Sequence, residues 1–223
     1  LQNVNHKYLL VFAVRVESMS SLLKHGEILK VHRNGYKSVF VVEIGFPYHD
    51  EIKHQYKEEM VKSYYEDMEK KKEVKFGGLQ TLYKNPEFIS SIGALHAEAI
   101  DMNFKFNYER IAGLKFEPML YVQREDKGTS FPHSHQHSGT SISSTFYIDP
   151  PESGGEIQFY FGPNDTVTIK PKPNVLYAFP SWLFHAPLLH SGTETRVCVN
   201  VDYFTLGRAV FIHEQKWGRE NIP

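Results

Sequence analysis

The chain has 223 residues, of which 41% are hydrophobic and 23% are charged, and its formal net charge is −1. This length suits one sizeable domain, and the balanced charge gives no signal for a nucleic acid or a membrane surface as partner. No apolar run reaches the ~20 residues that a membrane-spanning helix requires. The one cysteine, Cys198, excludes a disulfide within the chain and favours a reducing compartment, so we expect a cytoplasmic location.

The first half of the chain is predicted to combine strands with two helices. Segments 7–16 and 37–44 are rich in β-branched and aromatic residues, which predicts strands. Helix start signals follow at Asp50, which can cap a helix running to about Lys72, and at Asn85-Pro86. Apolar residues recur every three or four positions and predict the buried face of each helix. They are Ile52, Tyr56, Met60, Tyr64 and Met68 in the first helix, and Phe88, Ile92, Leu95, Ala99 and Met102 in the second.

From Glu117 onward the pattern changes to short strands that are separated by Gly, Pro, Asn and Asp. The predicted strands are PMLYVQR, ISSTFYI, EIQFYF, TVTIK, VLYAF and RVCVNVDYF. Short strands at this spacing are typical of a sandwich or barrel. We therefore expect a mainly β protein with helices (α+β), in which a double-sheet barrel offers a small-molecule site at its mouth.

A histidine cluster lies between the first two of these strands, where residues 132–139 read PHSHQHSG. His133, His135 and His137 occupy alternate positions, and alternate side chains of an extended chain share one face. Neutral imidazole is the commonest transition-metal ligand, so the cluster predicts a metal site. Two pairs have the same spacing, His133/His135 and His135/His137.

Further polar residues follow near the end of the barrel sequence. His185 ends the segment FPSWLFH, and Arg196 opens the last long strand. Along that strand, alternation separates two faces. One face carries Arg196, Cys198, Asn200 and Asp202, and the other carries Val197, Val199, Val201 and Tyr203. The first face is predicted to line a polar cavity, where an arginine can bind a carboxylate through two parallel hydrogen bonds.

Taken together, these motifs resemble the 2-oxoglutarate/Fe(II)-dependent oxygenases of the double-stranded β-helix (jelly-roll) superfamily, and most closely the group common in marine bacteria and their phages. The resemblance rests on HSHQHSGTSISSTFYIDPPESGGEIQFYF, FPSWLFH and ETRVCVNVDYF, covering about residues 117–206, and FGGLQTL at 76–82 is similar to a Gly-rich segment of that group. It implies a single domain over residues 1–223. Within it, residues 1–116 would form N-terminal strands and supporting helices, 117–206 the jelly-roll core, and 207–223 a C-terminal tail.

The resemblance also implies a set of site residues. His135, His137 and His185 would be three facial iron ligands, and Arg196 would anchor the far carboxylate of 2-oxoglutarate. His133 stays as the alternative to His137, because both pairs have the same spacing. The other candidates for lining the 2-oxoglutarate pocket are Tyr121, Gln123, Ser144, Tyr147 and Asn200.

The expected activity is hydroxylation of an unidentified substrate with dioxygen and 2-oxoglutarate, forming succinate and CO2 on Fe(II). One alternative is another cupin-type metal-dependent dioxygenase that needs no keto acid, because a three-histidine site lacks the usual carboxylate. A second alternative is a non-catalytic jelly-roll that serves as a binding or structural module, for instance in a viral particle. A homodimer or a role as an assembly component stays open, as does a virion-associated location for a protein of phage origin.

Overall fold

The structure is a computed structural model, and it describes residues 23–34, 39–71, 78–79, 86–105, 117–123, 136, 142–150, 153–188, 196–203 and 210–211. Two helices lie in these ranges, α1 (His49–Lys71) and α2 (Pro86–Asp101). The strands of the first half are β1 (Ile28–Arg33), β2 (Phe40–Gly45), β3 (Gly78–Leu79) and β4 (Phe104–Lys105). Those of the second half are β5 (Glu117–Gln123), β6 (Ile142–Asp149), β7 (Ile157–Gly162), β8 (Asp165–Ile169), β9 (Val175–Pro180), β10 (His185–Pro187), β11 (Arg196–Tyr203) and β12 (Val210–Phe211).

Within the described ranges the strands pair antiparallel in two main sheets. The large sheet has the order β1-β2-β9-β6-β11-β5-β3, and the small sheet has the order β10-β7-β8. Strands that are distant in sequence lie side by side, as in a jelly-roll, so the predicted mainly β fold class with flanking helices is confirmed. The short β12 pairs with β4, which connects the predicted C-terminal tail to the first half of the chain.

Two apolar layers cover the two faces of the large sheet. One layer lies between this sheet and the helices and includes Phe146, Val199 and Ile92. The other lies between the two sheets and includes Tyr147, Cys198 and Phe159. Because successive side chains of a strand point to opposite faces, neighbours such as Phe146 and Tyr147 belong to different layers. The space between the two sheets is called the sandwich interior below.

Both predicted helices are present, and α2 begins at Pro86 as predicted. Helix α1 begins at His49, so Asp50 lies in its first turn and the prediction that Asp50 caps it is wrong. Ile52 and Tyr56 are buried on α1 as predicted, whereas the predicted core positions Met60, Tyr64, Met68 and Phe88 lie outside the described side chains. On α2, Ile92 and Ala99 are buried and Leu95 packs against the same cluster.

The predicted burial of Met102 is wrong, since this side chain is 54% exposed. Helix α2 ends at Asp101, so Met102 lies in the following turn and leaves the helical stripe. Its Sδ instead lies against Gly26, whose backbone has a φ of +75°. A side chain at position 26 would collide with this sulfur. The predicted strand at 7–16 lies outside the described residues.

Candidate active site

His185 is a buried histidine at the first position of β10, and it is only 5% exposed. A tight turn precedes it, in which the Leu183 N–H donates to the Pro180 carbonyl at 2.9 Å. The Nδ1–H of His185 donates back to the Leu183 carbonyl, also at 2.9 Å. A carbonyl can only accept, so this bond fixes the tautomer in which Nε2 carries the lone pair. An imidazole held in this way is oriented for metal binding.

Aromatic rings surround the imidazole of His185 in the sandwich interior. The Phe179 ring meets it edge-on at a centroid distance of 4.8 Å, and Phe159 lies 5.9 Å away on the paired strand β7. These rings restrict the imidazole to one orientation and lower the local dielectric. Both effects strengthen the interactions of a bound cation with its ligands.

A pair of serine hydroxyls connects the turn before His185 to the middle of the large sheet. The Ser143 hydroxyl on β6 donates to the Ser181 hydroxyl at 3.1 Å, and both side chains are buried. Ser181 lies in the turn that supplies the carbonyl of Leu183. The hydroxyl pair therefore fixes the position of the turn, and through the turn that of His185.

The positions of β11, β6 and β9 that face the sandwich interior form successive cross-strand rows, and most of them are polar. The first row is Asp202–Ser143–Phe179, the second is Asn200–Thr145–Tyr177, and the third is Cys198–Tyr147. Arg196 follows at the start of β11, opposite Gln123 of β5. His185 contacts Phe179 of the first row. The predicted metal ligand on the small sheet thus lies beside the first row of this face, and the predicted carboxylate anchor lies at the other end of the face.

The second row contains three polar side chains in different environments. Thr145 is 2% exposed, and its Oγ1 has no hydrogen-bond partner among the residues that the structure describes. Asn200 is partly buried, and its Nδ2 contacts Cys198 Sγ at 3.9 Å. The Tyr177 hydroxyl accepts the Lys172 N–H at 3.0 Å. Burial raises the pKa of Tyr177, so the phenol is neutral.

The predicted pocket residues divide between the two faces of the large sheet. Asn200 and Tyr147 lie in the sandwich interior, and Tyr121 lies opposite Cys198 in the register of β5 and β11. Ser144 lies on the helix-facing side, where its Oγ is 3.3 Å from His96 Nδ1. The structure therefore does not bring Ser144 together with Asn200. Sequence reasoning missed Thr145, the neighbouring hydroxyl on the interior face.

The other predicted metal ligands, His135 and His137, and their alternative His133 lie outside the described residues. Gln136 between them is described and exposed. Among the residues that the structure describes, no group of three His, Cys, Asp or Glu side chains could hold a metal ion. No described helix is long and apolar enough to cross a membrane.

Comparison with known proteins supports the motif-based interpretation. Residues 121–202 match the family model described as "Putative 2OG-Fe(II) oxygenase". No curated protein matches the chain.

Solved structures that are similar to the chain include the following. One is the non-heme alpha-ketoglutarate-dependent epimerase SnoN from nogalamycin biosynthesis, with a TM-score of 0.53 and 13% identity over 77% of this chain and 78% of that one. A second structure of SnoN, in complex with Fe3+, alpha-ketoglutarate and nogalamycin RO, has a TM-score of 0.51, 14% identity and coverage of 77% and 80%. A prolyl hydroxylase from Trichoplax adhaerens has a TM-score of 0.43, 16% identity and coverage of 62% of each chain.

The fold of this chain is similar to that of the jelly-roll oxygenases, and the family match over residues 121–202 is to oxygenases that use Fe(II) and 2-oxoglutarate. The family match covers residues 121–202, which hold most of the jelly-roll strands from β5 to β11. The resemblance noted from the motifs is confirmed, as are the predicted cofactor and cosubstrate. His185 fits the donor chemistry of an iron site, because its tautomer leaves Nε2 as the ligand atom.

Proposed function

We propose that this protein hydroxylates a second substrate, with Fe(II) held by His135, His137 and His185 and with 2-oxoglutarate anchored by Arg196. One observation carries the proposal: a buried histidine of fixed tautomer lies beside one end of an interior polar face, and Arg196 lies at the other. A dicarboxylate that coordinates a metal through one end and an arginine through the other suits this arrangement.

The chain's own contribution is binding, orientation and shielding. When bound, Fe(II) and 2-oxoglutarate supply the activation of dioxygen, with release of succinate and CO2. Leu183 and Ser181 orient the ligand imidazole, and the rings of Phe159 and Phe179 shield it from water. Three protein ligands leave coordination positions for the keto acid and for dioxygen.

The first experiment is anaerobic loading with Fe(II), followed by 2-oxoglutarate and a search for a visible charge-transfer band. Air is then admitted, and succinate is measured with and without candidate substrates. The proposal expects the band, succinate formation and a product that gains one oxygen atom. A band with a product of unchanged mass favours epimerisation, the activity named for SnoN. Metal binding without any effect of 2-oxoglutarate favours a dioxygenase that needs no keto acid.

A second experiment distinguishes the two histidine pairs. Under the proposal, His135→Ala and His137→Ala each abolish 2-oxoglutarate turnover, whereas His133→Ala keeps much of it. His137→Asp restores a set of two histidines and one carboxylate, so this variant should still bind Fe(II). An inactive His133→Ala beside an active His137→Ala would assign the metal to the other pair.

A further inference from the structure

The turn between β9 and β10 carries two exposed aromatic side chains beside the proposed metal ligand. Trp182 is 52% exposed and Phe184 is 47% exposed, whereas Leu183 and His185, which alternate with them, are buried. Single exposed apolar side chains are normal on a protein surface, but a group of them marks a site of interaction. Trp182 and Phe184 are called the aromatic pair below.

Backbone hydrogen bonds fix the turn around Trp182. The Leu183 N–H donates to the Pro180 carbonyl, and the Tyr160 N–H on β7 donates to the Phe184 carbonyl, both at 2.9 Å. The serine hydroxyl pair described above holds the start of the turn. A ligand that binds to the aromatic pair therefore orders little additional chain, which lowers the entropic cost of binding.

The position of the aromatic pair indicates which ligand it meets. Trp182 is three residues from His185, so at most about 11 Å separates their Cα atoms. A substrate of this length that presents a carbon atom to a metal at His185 can contact the indole with its far end. The other large apolar side chains that are exposed in the described ranges, Leu29 and Met102, lie in the first half of the chain.

The sequence around the turn indicates the chemistry of the group that binds. No Asp, Glu, Lys or Arg occurs between Lys172 and Glu194. A charged group that left water here would find no partner of opposite charge along this stretch, which is unfavourable. An aromatic or aliphatic group carries no such penalty, and a ring gains edge-to-face or offset-stacked contacts with Trp182. The competing occupant is a cation above the indole face, and no carboxylate of this stretch would support it.

We propose that the aromatic pair binds an uncharged aromatic or aliphatic group of the second substrate. It thereby selects substrates that carry such a group within about 10 Å of the oxidised carbon. This substrate class rests on the proposed function, in which His185 holds the metal. The aromatic pair acts on the substrate alone, and other residues of the site bind the metal and 2-oxoglutarate.

The test uses three capped amino acids as probes. N-acetyl-phenylalanine amide is uncharged and aromatic, and the matching lysine and aspartate derivatives carry a positive and a negative charge. Binding is measured by saturation-transfer NMR on protein loaded with 2-oxoglutarate and Zn(II). We expect the phenylalanine probe to bind at least about fivefold more tightly than either charged probe. Replacing Zn(II) with paramagnetic Mn(II) should broaden the signals of the bound probe, because the aromatic pair lies close to His185.

Trp182→Ala should weaken binding of the phenylalanine probe about fivefold, the effect of losing one aromatic contact, and Trp182→Phe should retain most of the affinity. Leu29→Ala is the matched control, because Leu29 is also an exposed apolar side chain but lies on β1. This control variant should bind the phenylalanine probe as tightly as the wild type.

Failure of the phenylalanine probe to bind, equal or tighter binding of a charged probe, or signals that Mn(II) does not broaden would each overturn the inference. Equal affinity in Trp182→Ala and the wild type would do the same. So would loss of the charge-transfer band with Fe(II) and 2-oxoglutarate in Trp182→Ala, since the indole would then support the turn and not the substrate. A wild-type protein that forms no such band would overturn the proposed function instead, so the two failures are distinguishable.

Discussion

His96 and His185 are both buried, and they lie on opposite faces of the same part of the large sheet. The Nδ1 of His96 lies 3.3 Å from Ser144 Oγ, and the Nδ1 of His185 lies 2.9 Å from the Leu183 carbonyl. Two phenylalanine rings flank each imidazole. By burial and aromatic surroundings alone, the two histidines are equivalent.

The two histidines differ in the hydrogen-bond partner of Nδ1 and in the side chains around the imidazole. A carbonyl only accepts, so His185 has one tautomer with Nε2 as ligand atom, whereas a serine hydroxyl accepts or donates and leaves the tautomer of His96 open. Beside His185 lie the polar rows of the sandwich interior, whereas His96 lies in the mainly apolar layer under the helices, with Ser144 and His25 as polar neighbours. A buried histidine is thus a ligand candidate when its tautomer is fixed and other polar groups converge on the same space.

The largest expected effect concerns His96 and the dependence of stability on pH. Burial, together with a smaller effect of nearby His25, lowers the pKa of His96 from 6.5 to about 3. In the unfolded chain His96 becomes protonated below pH 6.5, whereas in the folded protein it stays neutral down to about pH 3. Stability from this group is therefore complete above pH 6.5 and falls by about 5 kcal/mol toward pH 3. Denaturant unfolding at several pH values measures this slope.

His96→Leu should flatten the pH dependence of the unfolding free energy between pH 6.5 and 3, because the titrating group is gone. His54→Leu is the control, since His54 is exposed on α1, and it should keep the wild-type slope. If His96→Leu retains that slope, the acid sensitivity comes from other groups. Glu43 is another acid-sensitive group, because its hydrogen bond with His32 lowers the pKa of the Glu43 carboxyl. Protonation of this carboxyl in acid removes the stability that the ionised form contributes.

The second prediction tests the ligand role of His185. His185→Ala should weaken Fe(II) or Co(II) binding at least about 100-fold, since even groups outside the coordination shell affect metal affinity by 10–100-fold. Metal stoichiometry and affinity are measured on folded protein. The neighbouring Phe184 is exposed, so Phe184→Ala is the control and should bind metal normally. Equal metal content in His185→Ala and the wild type would show that His185, like His96, is not a metal ligand.

The sequence predicted the barrel and the role of His185, but it did not predict which side chains lie on which face of the large sheet. The strand pattern from Glu117 onward predicted the barrel, and FPSWLFH singled out His185 while no spacing singled out His96. The segment ISSTFYI is buried on both faces, so alternation alone could not assign Ser144 and Thr145 to their sides. That assignment depends on which strands become neighbours of β6, and this is a property of the sheet order. The three-residue β10 was too short to be predicted from its composition.

The third prediction concerns the far end of the polar face. Losing one partner of a buried charge-assisted pair costs roughly 2–5 kcal/mol, so Arg196→Ala should raise the 2-oxoglutarate requirement at least ~30-fold. Arg196→Lys should recover only part of it, because an ammonium lacks the fork that binds a carboxylate through two bonds. The titration of 2-oxoglutarate at fixed Fe(II) measures the effect. An unchanged requirement in Arg196→Ala would place the anchor elsewhere.

The smallest expected effect tests how the turn before His185 is held. Ser181→Ala removes one hydrogen bond of about 1 kcal/mol, so metal affinity should fall about fivefold. Ser143→Ala should have a similar effect, since it removes the other half of the same contact. The double variant should lose little more than either single one, because residues in one contact are not additive. The absorption bands of the Co(II)-loaded variants should shift together, which a general loss of stability would not cause. Additive losses, or unshifted bands, would mean that the turn positions His185 without the serine pair.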